Sequence, residues 1–106
     1  MVREALAAGA AMSTVNVAEV VSKLAEAGWP EPAVSQAVAE VQAEFVDFTS
    51  EDAYRTGILR PITRRAGLSL GDRACIALGQ SLGIPVLTAD RRWAELGLGV
   101  QVQLIR

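Results

Sequence analysis

A three-layer α/β/α sandwich with a mainly parallel sheet is the fold class the sequence predicts, on three observations. Short apolar runs alternate with longer amphipathic segments, and strands separated by helices pair in parallel through crossovers. The segment "PVLTA" (85–89) is apolar almost throughout, as strands buried on both faces are. Apolar residues make up 51% of the chain, chiefly Ala, Val and Leu, and aromatics only 5%, a balance that favours α/β packing over a β-sandwich. At 106 residues the chain suits one domain and is too short for two.

The elements follow in order. "REALAA" (3–8) reads as the tail of a helix with Gly9 as its stop, and "AAMST" (10–14) as a short strand. "NVAEVVSKLAEAG" is a helix, because Val17, Val20, Val21 and Leu24 recur at helical spacing and Gly28 stands where a C-terminal glycine belongs. After the turn "WPEP", "AVSQAVAEVQ" forms a second amphipathic helix on Val34, Ala37, Val38 and Val41, and "EFVDF" a strand. "TSEDAYRTGILRPITRRAG" opens on Thr49 or Ser50 as a cap and is a helix disturbed at Pro61. "SLGDRACIALGQSLG" is a helix capped by Ser69 and ended by Gly83. "PVLTA", a short helix over "DRRWAELGL" and a closing edge strand "VQVQLI" complete the chain. Trp29 and Trp93 are expected as packing anchors and Cys75 as a core residue, with Tyr54 a candidate for a partner interface.

The composition narrows the chemistry. A single cysteine excludes a disulfide framework and suits a reducing, cytoplasmic compartment. No segment reads as a signal peptide or reaches the roughly 18 apolar residues of a membrane span. There is no histidine, so His-based zinc sites and triads are excluded and acid–base or metal chemistry must run on carboxylates. "GILRPITRRAG" has neither the Walker nor the dinucleotide glycine spacing. Net charge is −2, but unevenly spread: Glu26 to Asp52 holds seven acids and no base, whereas Arg55 to Arg92 holds seven arginines against Asp72 and Asp90. Such asymmetry points to a polyanion-facing side, although a solvated Arg-rich helix gives the same count.

Three acids share one topological position. Asp90 follows the apolar strand and precedes a helix, at the carboxyl end of a strand where parallel sheets bind ligands, although an N-cap explains it equally. Asp72 completes the capping-box pattern "SLGD" at a helix start, and Gly71 beside it leaves space for a close neighbour. Glu19, one turn into its helix beside Asn16, points back toward the helix start, although Lys23 offers it an ordinary i, i+4 partner. Carboxylates crowded at one rim repel unless a cation intervenes, and hard oxygen donors suit Mg²⁺ or Mn²⁺. Such an ion activates water and steadies charge on a phosphodiester, so the expectation is metal-assisted phosphodiester hydrolysis. A generic α/β ligand binder instead expects the three acids far apart or paired with arginines.

The segments "MSTVNVAEVVSKL", "LSLGDRACIALGQSLGIPVLTADRRW" and "VQVQLI" resemble PIN-domain proteins, and more narrowly the VapC-type toxins of bacterial toxin–antitoxin pairs. The resemblance implies an Mg²⁺- or Mn²⁺-dependent endoribonuclease with Glu19, Asp72 and Asp90 as catalytic metal ligands. It places Thr88 where such proteins often carry a hydroxyl near the site, and Asn16 is a secondary candidate. The implied partners are RNA, a small cognate antitoxin and a second copy of the chain, with Arg64, Arg65, Arg91 and Arg92 as candidate RNA or antitoxin contacts. A catalytically inactive antitoxin- or RNA-binding module of the same fold is the alternative. One departure stands out: such proteins open on a hydrophobic strand ending in aspartate, the central strand of the order 3-2-1-4-5. Here Glu4 is the only acid before Glu19. The expectation is therefore a single PIN-like domain over residues 1–106, incomplete at its N-terminus and weakly active or inactive. Its two inner strands would pair with each other, borrow a strand from another chain, or leave an apolar slot.

Overall fold

The computed structural model describes residues 5–6, 11–88 and 91–104. In chain order the elements are β1 (Ala5–Leu6), β2 (Ala11–Ser13), α1 (Thr14–Glu26), α2 (Glu31–Ala39), β3 (Glu44–Val46), α3 (Ser50–Ile58), α4 (Arg60–Thr63), α5 (Leu70–Leu82), β4 (Val86–Thr88), a 3₁₀ turn (Arg91–Glu95) and β5 (Val102–Leu104). The alternation of strands and helices is the predicted one, and the α/β class with parallel pairing holds. β2 pairs with β3 in parallel, and β4 with β5 in parallel. β5 lies at a sheet edge, as its alternating pattern requires.

The N-terminus differs from the prediction. Ala5 and Leu6 form a strand, not a helix tail, and run antiparallel to β4 with Ala5 opposite Leu87 and Leu6 opposite Val86. The reason is backbone pairing. Val86 is fully buried and β5 covers one side of its strand, so without a partner on the other side β4 would leave buried N–H and C=O groups unsatisfied. A strand of two residues supplies that partner. It stands beside β4, and β2 and β4 do not pair with each other: the strands form a three-stranded sheet β1-β4-β5 and a two-stranded sheet β2-β3.

Helix ends obey their local signals. Ser13 closes β2 and also caps α1, its hydroxyl accepting from the Val15 N–H at 3.2 Å, so strand passes into helix with no loop. α3 opens with a capping box of Thr49 and Asp52. The helix stops at Ile58 and resumes at Arg60, because the Pro61 ring has no N–H to donate and crowds the carbonyl four residues back. Two expected elements are shorter than their segments: "EFVDF" keeps three residues of strand, and "DRRWAELGL" five residues of 3₁₀ turn.

The core gathers on α5, which packs against α1, α3, β1, β2 and β4. Its buried Cys75, Ile76, Ala77 and Leu78 meet Leu59, Leu68, Val86, Trp93 and Leu98. Trp93 is 1% exposed and is the packing anchor expected of it, whereas Trp29 is 46% exposed: the turn after α1 carries it outward, beside Ala33, Ala37 and Val41. Gly79 marks where α5 presses on the sheet. A Cβ there would stand 2.6 Å from Val86 Cγ1 and 3.2 Å from the Ile84 carbonyl. Gly79→Ala is therefore expected to destabilise by about 1–3 kcal/mol in a urea melt, although alanine is the better helix former. Unchanged or raised stability would contradict this packing.

Candidate active site

The candidate site is built where the starts of α1 and α5 meet. Asn16, in the first turn of α1 and 7% exposed, donates from Nδ2 to the Gly71 carbonyl at 2.9 Å, across 55 residues of sequence. This bond fixes the start of α5 against the start of α1. One turn further along, half-buried Glu19 reaches the same place: its carboxylate occupies the position that a Cβ on Gly71 would take. The space foreseen at Gly71 is thus filled, and Glu19 fills it. α1 begins at Thr14, two residues earlier than its pattern suggests, so Glu19 lies in the second turn. The ordinary pairing of Glu19 with Lys23 does not form; among the described residues the ion pair is Arg55 with Glu51 at 3.5 Å.

Asp72 follows Gly71 directly. Its N–H donates to Ser69 Oγ at 3.1 Å, and its Oδ2 accepts from the Ser69 N–H at 3.0 Å. The capping box is therefore real, yet it uses one carboxylate oxygen. Oδ1 has no donor among the described residues, so capping and ligation are compatible uses of one side chain. The partial positive charge at the start of α5 favours carboxylates there.

The remaining candidates divide. Asp90 lies outside the described residues. Thr88 is the last residue of β4 and Arg91 the first of the 3₁₀ turn. Among the described residues no group of three or more acidic or cysteine side chains forms a metal cluster. Arg64 and Arg65 are exposed in the turn between α4 and α5, and Arg92 is exposed in the 3₁₀ turn. Arg73 is committed elsewhere: its Nη1 donates to the Thr56 carbonyl at 3.0 Å and ties α5 to α3. The Asn16 and Arg73 tethers were not foreseen, because no local pattern marks hydrogen bonds that span 55 and 17 residues.

The residues present suit a small, hard divalent cation. The donors are carboxylate oxygens, the missing side chain at Gly71 leaves the room in which one of them sits, and Asp72 keeps an oxygen uncommitted. Asn16→Leu is expected to remove the bond that ties α1 to the Gly71 carbonyl, which keeps its partner within α5, and to cost about 0.5–1.5 kcal/mol, read from thermal melting. A cost below about 0.5 kcal/mol would mean that the tether carries no weight.

A sequence comparison with curated proteins finds no match. Among solved structures the fold is similar to DNA-bound VapBC from Salmonella typhimurium, with a TM-score of 0.70, 20% identity, and coverage of 88% of this chain and 73% of that one. It is also similar to VapBC2 from Rickettsia felis bound to a DNA fragment from their promoter, with a TM-score of 0.66, 15% identity, and coverage of 89% and 73%. At these identities the likeness concerns the fold. The PIN-domain family profile matches residues 2–98, nearly the whole chain, and the fold agrees with it: this chain belongs to the PIN-domain family.

Proposed function

We propose that the chain is a metal-dependent endoribonuclease, the toxin component of a toxin–antitoxin pair. The observation that carries the reading is the Glu19 carboxylate lying against Gly71, immediately before Asp72, at the start of α5. Family membership supports nuclease chemistry, and the fold likeness to VapBC supports an antitoxin partner.

Glu19, Asp72 and Asp90 would hold Mg²⁺ or Mn²⁺. When bound, such an ion lowers the pKa of water and stabilises charge on a phosphodiester. The chain's own residues prepare the place. Asn16 clamps the two helix starts together, Ser69 fixes the Asp72 carboxylate through one oxygen, and Gly71 admits Glu19. Arg64, Arg65, Arg91 and Arg92 would meet RNA phosphates or antitoxin carboxylates, and Thr88 would bring its hydroxyl near the site. A cognate antitoxin and a second copy of the chain complete the proposed assembly. No helix among the described residues is long and apolar enough to cross a membrane, and the proposed setting is the cytoplasm.

One observation favours the second reading, a binding module without catalysis. The strand beside β4 is two residues long and runs antiparallel to it. A labelled single-stranded RNA incubated with the purified chain and Mn²⁺ separates the two. The nuclease reading expects cleavage that stops with chelator and in Asp72→Asn and Asp90→Asn. Binding of RNA or antitoxin without cleavage, equal in all variants, would establish the module instead.

A further inference from the structure

We infer that Gly71 is a positioning residue for the metal centre: the absence of a side chain at the second position of α5 lets the Glu19 carboxylate settle against the start of α5, at the residue that precedes Asp72. The inference rests on the metal-dependent reading above. Its basis is steric and independent of any ion. A Cβ at residue 71 would overlap the Glu19 carboxyl carbon and both its oxygens. Residue 71 cannot retreat, because Asn16 holds its carbonyl at 2.9 Å and the residue is buried. Glu19 is the part that can move, since its carboxylate ends a flexible side chain with no ion-pair or hydrogen-bond partner among the described residues. Nothing in the backbone asks for glycine here: residue 71 is helical, and among the described residues the left-handed glycines are Gly28, Gly67, Gly83, Gly97 and Gly99. Alanine would improve helix propensity at this position, so what glycine provides is room rather than backbone freedom.

Gly71→Ala is thus expected to keep the fold and displace Glu19. Mn²⁺ titrated into the 106-residue chain, followed by calorimetry, should show affinity weakened about 10- to 100-fold, the range typical of residues that orient metal ligands. In a Glu19→Ala background, where there is no carboxylate to displace, the same change should leave Mn²⁺ affinity within about twofold. Melting in chelator gives a readout free of metal. Gly71→Ala should raise the Tm of Glu19→Ala by about 4 °C, from helix propensity, and raise that of the parent and of the isosteric Glu19→Gln by less. An Mn²⁺ affinity unchanged by Gly71→Ala, or lowered equally with and without Glu19, overturns the inference. Failure of the parent chain to bind Mn²⁺ overturns the metal reading; the melting comparison then decides the steric claim alone, and equal gains in all backgrounds overturn it.

Discussion

Asp72→Asn is expected to leave the protein folded and to remove the metal-dependent activity proposed for it. Asparagine keeps an oxygen that accepts from the Ser69 N–H, so the capping box survives the loss of charge. Melting should shift by no more than about 0.5 kcal/mol. Mn²⁺ affinity and RNA cleavage should fall by about 100-fold or more, beyond the loss typical of groups that merely support a metal ligand. Asp72→Ala also loses the bond from the Ser69 N–H, while Ser69 still caps the helix through the residue-72 N–H, at about 0.5–1 kcal/mol or a Tm lower by about 2–8 °C. The pair separates the two uses of one carboxylate. If Asp72→Asn binds Mn²⁺ like the parent, Asp72 is a helix cap and the site lies elsewhere.

Trp93→Ala should be the most destabilising single change in the described core. The side chain is 1% exposed and packs in the cluster with Ile76, Leu78, Val86 and Leu98, which join α5, β4 and the loop before β5. Truncation leaves a large cavity and costs about 3–5 kcal/mol. Against the roughly 5–15 kcal/mol typical of small domains, this removes a large share of the stability. Trp93→Phe should cost only about 1–2 kcal/mol, because it refills much of the volume and deletes a buried Nε1–H that has no acceptor among the described residues. Urea denaturation measures both, and similar losses for Ala and Phe would deny the cavity argument.

Much of the fold was legible because its signals are local. Ser69 and Gly83 bound α5 as a hydroxyl cap and a left-handed glycine, each acting within a few residues. The capping box at Asp72, the break before Pro61, the apolar β4 and the alternating β5 are of the same kind. The three acids were legible as candidates, through their nearness to strand ends and helix starts, but not as a site: a capping pattern alone does not distinguish Asp72 from Asp52, which completes the same box on α3.

The sequence by itself determined the α/β class and the caps of α3 and α5, and it left carboxylates as the groups for any acid–base or metal chemistry. Periodicity, caps and the lack of histidine act over a few residues or over the whole composition. Only the tertiary structure decided which partner Glu19 meets, that Trp93 is buried while Trp29 is not, and that Ala5–Leu6 lie antiparallel on β4. Those outcomes depend on surfaces brought together from distant parts of the chain. Lys23 is one turn from Glu19 and Gly71 is far away in sequence, yet the Asn16 bond and the room at Gly71 place the carboxylate against α5.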